Sequence, residues 1–82
     1  MKVVIYSTPW CVYCKIAKTF FNKKGIVYEE FDVSKDEKVK KEMEKKSHQL
    51  GVPVIEIGKH VFVGFDRSEI EKVLEIPKTL LK

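Results

Sequence analysis

The spacing of hydrophobic positions changes from one segment of the chain to the next, and each change predicts an element. The run "KVVIY", residues 2–6, is apolar and rich in β-branched side chains, which predicts a strand buried on both faces. "STP" then interrupts it. From Cys11 onward Ile16, Ala17, Phe20 and Phe21 recur at helical spacing. That helix closes in "NKKG", where Lys23 and Lys24 suit a helix C-terminus and Gly25 its left-handed cap. "IVYEEFDV", residues 26–33, predicts a second strand. Ser34 and Glu37 match a capping box, opening a helix whose buried stripe is Val39, Met43 and Leu50. "VPVIEI" and "HVFVG", joined by "GK", predict a β-hairpin over residues 52–64. Asp66 and Glu69 repeat the capping pattern. A last helix would turn Ile70, Val73 and Leu74 toward the core, and Pro77 would end it or permit only a kinked tail. The final "KTLLK" fits either a short docked turn or a frayed end.

The order β-α-β-α-β-β-α predicts an α/β fold with a four-stranded mixed sheet and three helices covering both faces. Strands joined by a helix should run parallel through a right-handed crossover, while the hairpin supplies an antiparallel pair. With 82 residues the chain is expected to form one domain over 1–82, with 77–82 as a short tail and a small core. Apolar residues make up 44% and charged residues 34%, which suits a globular chain. No apolar run approaches the length of a membrane span, and "MKVVIYS" turns polar too soon for a signal peptide. A cytoplasmic location without a membrane partner is the expectation. The net charge of +4 is concentrated around "SKDEKVKKEMEKKS", but that segment interleaves both signs. Without an arginine stripe or aromatic–basic alternation it reads as a solvated helix face, not a nucleic-acid surface. Nothing demands more than a monomer.

Candidate chemistry lies in "YSTPWCVYCK", where Cys11 and Cys14 stand three apart. Two cysteines are too few for a secreted disulfide framework, and a permanent bridge is unusual in a reducing compartment. As a staple, so short a loop would constrain the unfolded chain little. A zinc site needs two further ligands, and His48 and His60 are separated between a helix end and a hairpin. A redox pair fits better. Cys11 falls at a helix N-terminus, where unpaired N–H groups and the dipole favour a thiolate. Cys14 lies one turn further in, within reach of Cys11 but with fewer free N–H groups. Cys11 is therefore expected to attack and Cys14 to resolve. Trp10 either packs against the sheet edge or joins Tyr13 in an apolar rim that meets a partner. Lys15 either favours the thiolate or is a solvated helix residue. A metal or iron–sulfur binding module is the alternative from another class.

With "YSTPWCVYC", "GVPVI" and "VGFD" in this order, residues 2 to about 76 resemble the glutaredoxins, within the thioredoxin-fold superfamily. The resemblance implies a thioredoxin-like fold and an enzyme that reduces protein disulfides or glutathione mixed disulfides through Cys11 and Cys14. It also implies a cis Pro53, with the Val52 backbone turned toward the cysteines to pair with an extended substrate. A trans proline opening the strand is the plainer alternative. Glutathione is implied as co-substrate, with no permanently bound cofactor. Its γ-glutamyl end would rest near "GFDR", where Gly64 permits close approach, Phe65 is a further substrate-binding candidate, and Asp66 accepts from the amino group or simply caps the helix. The chain departs from the family pattern at four places. Val12 replaces proline in the spacer, Val63 replaces the first of two glycines, Arg67 replaces an acidic residue, and Thr8 replaces a basic one. Two electron donors follow, glutathione and a flavin-dependent thioredoxin reductase, serving a disulfide-containing or glutathionylated client protein.

Overall fold

Five successive residues, Val3–Ser7, are buried, and they form the strand (β1) on which the rest assembles. The structure, a computed structural model, describes residues 2–74. Helix α1 spans Val12–Lys23, strand β2 Glu29–Asp32, helix α2 Glu37–Ser47, strands β3 and β4 Val54–Ile57 and His60–Val63, and helix α3 Arg67–Val73. The sheet order is β2-β1-β3-β4, with β2 parallel and β3 antiparallel to β1, and β4 antiparallel to β3. Side chains pack against both faces of β1, with helices on either side of the sheet, which is why the opening run is apolar without alternation. Val3 and Ile5 pack with Ala17, Phe20, Phe21, Ile55, Ile57 and Ile70, under α1 and α3. Val4 and Tyr6 pack on the opposite face with Val33, Met43 and Val54, under α2.

The element ends depart from the sequence expectation in several places, each for a local reason. α1 closes as expected: Gly25 adopts φ 69°, and the N–H groups of Gly25 and Ile26 donate to the carbonyls of Asn22 and Phe21 at 3.1 and 2.9 Å. This double turn-back is the glycine-dependent helix end. It carries the chain away before pairing begins, so β2 starts at Glu29 and not at Ile26, and Val27 is 89% exposed. α2 is capped by Asp36, whose carboxylate accepts from the Lys38 N–H at 2.9 Å, and not by Ser34. Ser34 is already committed to Asp32, donating its N–H at 2.8 Å and its hydroxyl to the same oxygen. That local side-chain turn competes successfully with the helix for the serine. At the other end His48 takes a left-handed φ of 62°, so Leu50 lies beyond the helix and is 53% exposed. Met43 is the fully buried member of the expected stripe, with Val39 partly buried against it.

Both hairpin strands are shorter than expected, with Gly58 at φ 58° in the turn between them. α3 takes half of its capping box. Asp66 accepts from the Glu69 N–H at 3.2 Å, but the Glu69 carboxylate pairs with Lys72 at 3.4 Å. Ile70 is buried, with Val73 and Leu74 packed beside it. The helix stop at Pro77 and the "KTLLK" tail lie outside the described residues. α2 is tied to the sheet by Lys46, which donates to the Tyr6 hydroxyl and to Glu56 Oε1, each at 3.0 Å. Those two acceptors hold the ammonium above the ordinary lysine range.

Candidate active site

The loop between β1 and α1 delivers Cys11 to the helix N-cap with extended backbone, φ −84° and ψ 113°. Its sulfur accepts the Cys14 N–H at 3.1 Å, standing where a serine or aspartate oxygen ordinarily caps a helix. The Cys11 N–H donates to the Thr8 carbonyl at 3.3 Å, which closes the loop. The two cysteines are joined as a disulfide, with Cα atoms 5.2 Å apart. Their exposures differ in the way the role assignment requires. Cys11 is partly exposed, while Cys14 is 0% exposed. An incoming sulfur can approach Cys11 but not Cys14.

Around Cys11 the surface is apolar. Trp10 is 72% exposed and Tyr13 64%, so the sheet-edge packing weighed for Trp10 does not occur. Val12, Ile16 and Val63 extend the same rim, and Lys15 is exposed. Thr8 Oγ1 is buried without a hydrogen-bond partner among the described residues. Neither the extension through Ile16 and Val63 nor the buried Thr8 oxygen was expected. Ile16 fits a core stripe by spacing, but the buried face of α1 is Cys14, Ala17, Phe20 and Phe21, and Ile16 is 45% exposed.

Seven residues line a groove of about 340 Å³ beside this rim: Tyr13, Val52, Pro53, Val63, Gly64, Phe65 and Asp66. The structure thus brings Tyr13 together with both distant motifs, "GVPVI" and "VGFD". Trp10 stands outside the groove lining. The Val52–Pro53 bond is cis. The Pro53 carbonyl accepts from the Gly64 N–H at 2.8 Å, which ties the proline loop to the start of the "GFD" turn. Gly64 adopts φ 83°, and a side chain there would meet no atom within 4 Å, so the backbone is open to an approaching ligand. Asp66 caps α3 and is exposed at the groove's end. Among the described residues no lysine or arginine contributes to this lining.

On the opposite side of the cysteine loop, Ser7 Oγ donates to Glu30 Oε2 at 2.7 Å and Lys18 Nζ approaches the same oxygen at 2.8 Å. The bond from Lys18, followed by that from Ser7, holds the Glu30 carboxyl below its ordinary range. β2, β1 and α1 are thereby joined at the level of the active-site loop. A wider depression of about 610 Å³ lies between the end of α1 and β2, and among the described residues Glu30 and Tyr28 are the ionisable groups in its lining. Both histidines are exposed, and no metal-holding group of His, Cys, Asp or Glu occurs among the described residues.

The glutaredoxin family model matches residues 3–62. The chain is 42% identical over 73 residues to a glutaredoxin-like 8.6 kDa protein from the rubredoxin operon of Clostridium pasteurianum, covering 89% of this chain and 97% of that one. It is 36% identical over 64 residues to a glutaredoxin of Pseudomonas aeruginosa, covering 78% and 76%. The crystal structure of a thioredoxin-like protein superposes with a TM-score of 0.86 at 30% identity, over 93% of this chain and 97% of the other.

Proposed function

This chain belongs to the glutaredoxin family, and from that premise we propose that it is a dithiol–disulfide oxidoreductase in which Cys11 attacks and Cys14 resolves. The carrying observation is the asymmetry of the pair: a partly exposed sulfur at a helix N-cap beside a fully buried one. In the reduced protein the Cys11 thiolate attacks one sulfur of a client disulfide, forming a mixed disulfide and releasing the other client sulfur as a thiolate. Cys14 then attacks Cys11, breaking the mixed disulfide and releasing the second client thiol. The Cys11–Cys14 disulfide remains, and two electrons have passed to the client. Val52 and Gly64 both line the groove and the Gly64 backbone is open, so an extended client segment could be held there without a side-chain code.

Two donors fit different parts of this surface. Glutathione could lie in the groove with Asp66 placed to take its ammonium, but among the described residues its two carboxylates would meet no cationic side chain in the lining. A flavin-dependent reductase is favoured by the breadth of the exposed apolar rim, Trp10, Val12, Tyr13, Ile16 and Val63, which suits a protein surface better than a small charged peptide. On charge and area we favour the reductase, with glutathione as the second reading. The deciding assay reduces one model protein disulfide with either thioredoxin reductase or glutathione plus glutathione reductase as supply. Faster turnover with thioredoxin reductase is expected; turnover only with glutathione would reverse the order. The cytoplasm, kept reducing, is the compartment that this cycle suits.

A further inference from the structure

A second groove, of about 290 Å³, runs between α1 and the start of α3, away from the cysteines. Its floor is apolar, formed by Ile16, Phe20 and Phe65, and its rim carries Lys23, Lys24 and Arg67. Phe65 also lines the groove beside Tyr13, so the two depressions share a wall. Along α1 the residues Tyr13, Ile16, Phe20 and Lys23 succeed each other at three- and four-residue spacing, which places them on one helix face. That face leads from the reacting sulfur to the cations.

Each of the three cations has a local structural role, and together they give the groove a positive rim. Lys23 and Lys24 offset the negative end of the α1 dipole. Arg67, however, occupies the first position of α3, where the dipole disfavours a cation. Its guanidinium lies over the Phe20 ring at 5.5 Å, and Nε approaches Glu71 at 3.5 Å, which aims the side chain at the groove. Among the described residues no ion pair engages Lys23 or Lys24. The rim therefore keeps positive charge beyond what the nearby Glu71 carboxylate offsets.

We propose that this groove docks an acidic, aromatic-containing segment of the client protein whose disulfide Cys11 attacks. The inference rests on the oxidoreductase reading above. Apolar floor and cationic rim together select an apolar side chain flanked by carboxylates. Its distance from the reacting bond follows from the helix. Cys11 to Lys23 is about 18 Å at ~1.5 Å per helical residue, which an extended segment crosses in about five or six residues. The acidic residues therefore sit that far along the client chain from the reacting cysteine.

The test uses synthetic peptides with one intramolecular disulfide and a Glu-Phe-Glu run about five or six residues away, on either side. Matched peptides carry Gln-Phe-Gln instead. At low ionic strength at least one acidic peptide should show a KM about three- to tenfold below its neutral match, with the difference shrinking as salt is added. A Lys23→Gln/Arg67→Gln variant should lose the preference while reducing hydroxyethyl disulfide at the unaltered rate. A Lys23→Glu/Arg67→Glu variant should prefer a Lys-Phe-Lys peptide. Calorimetric titration of the same peptides reads the preference without turnover, so a failure of the cysteine chemistry would show as lost hydroxyethyl disulfide reduction with the binding preference intact. Equal affinity for acidic and neutral peptides at low salt would overturn the proposal. So would self-association of the chain that the neutral double variant abolishes, which would assign the groove to a second copy.

Discussion

At Cys11 one sulfur both caps a helix and meets the outside, while Cys14 one turn on is sealed from solvent. Cys11→Ser should therefore abolish disulfide reduction, although serine is itself a good cap and the fold should persist. Cys14→Ser should instead accumulate a mixed disulfide at Cys11, visible as a mass increase that a dithiol removes. Alkylation of the reduced protein near neutral pH should reach Cys11 first. If Cys14 forms the adduct or reacts first, the roles are reversed. Asp66 poses the other residue-level question, because capping and ligand binding use the same carboxylate. Asp66→Asn keeps the cap and removes the charge. With the reductase as donor, the Asn variant should retain both stability and reductase-coupled turnover. A charge-assisted hydrogen bond lost to glutathione would cost roughly 1.5–3 kcal/mol. A ten- to hundredfold rise in KM in the glutathione-coupled assay would thus restore glutathione as the donor.

Among the elements, the helices and strands were legible in the chain, but several of their ends were not. The Cys11 cap, the Gly25 stop and the Asp66 cap each depend on residues within one turn, and local pattern reveals them. The Ser34 cap failed because two short polar residues, Asp32 and Asp36, compete on either side of it, and the winner depends on where β2 ends. Periodicity likewise could not show that Ile16 and Leu50 face outward. A cross-element link was also invisible: Ser7, Glu30 and Lys18 are brought together only by the parallel pairing of β1 with β2. That link makes a pH prediction. The Glu30 carboxyl is lowered from its ordinary value of 4.5 by Lys18 and Ser7, so below 4.5 the unfolded state binds the proton first. Stability from this group is complete above the unfolded value and is lost as pH falls through the lowered one. Glu30→Gln should flatten the acid limb of a stability–pH curve measured by urea unfolding. Asp32, also lowered through its bonds to Ser34, will keep part of the slope. An unchanged acid limb in the variant would remove Glu30 from acid sensitivity.

For the molecule as a whole, β1 belongs to two cores at once, and its unbroken apolar run already announced that. The groove itself could not be read in the same way, since Tyr13, Pro53 and Gly64 meet only after the sheet has ordered its strands; the family resemblance, not periodicity, put them together. Shared use of β1 has an energetic consequence. Met43 is 0% exposed on the α2 face, and Met43→Ala should cost about 2–5 kcal/mol. That is a large share of the ~5–15 kcal/mol typical of a domain. Because Val4 and Tyr6 alternate with Val3 and Ile5 along one strand, loosening the α2 side should destabilise the α1 side equally. Native-state hydrogen exchange distinguishes this from a local effect. In Met43→Ala the slowest amides of α1, such as those of Ala17 and Phe21, should lose as much protection as those of α2. If α2 alone exchanges faster, it is a separately opening unit, and the two faces of the sheet are not coupled through β1.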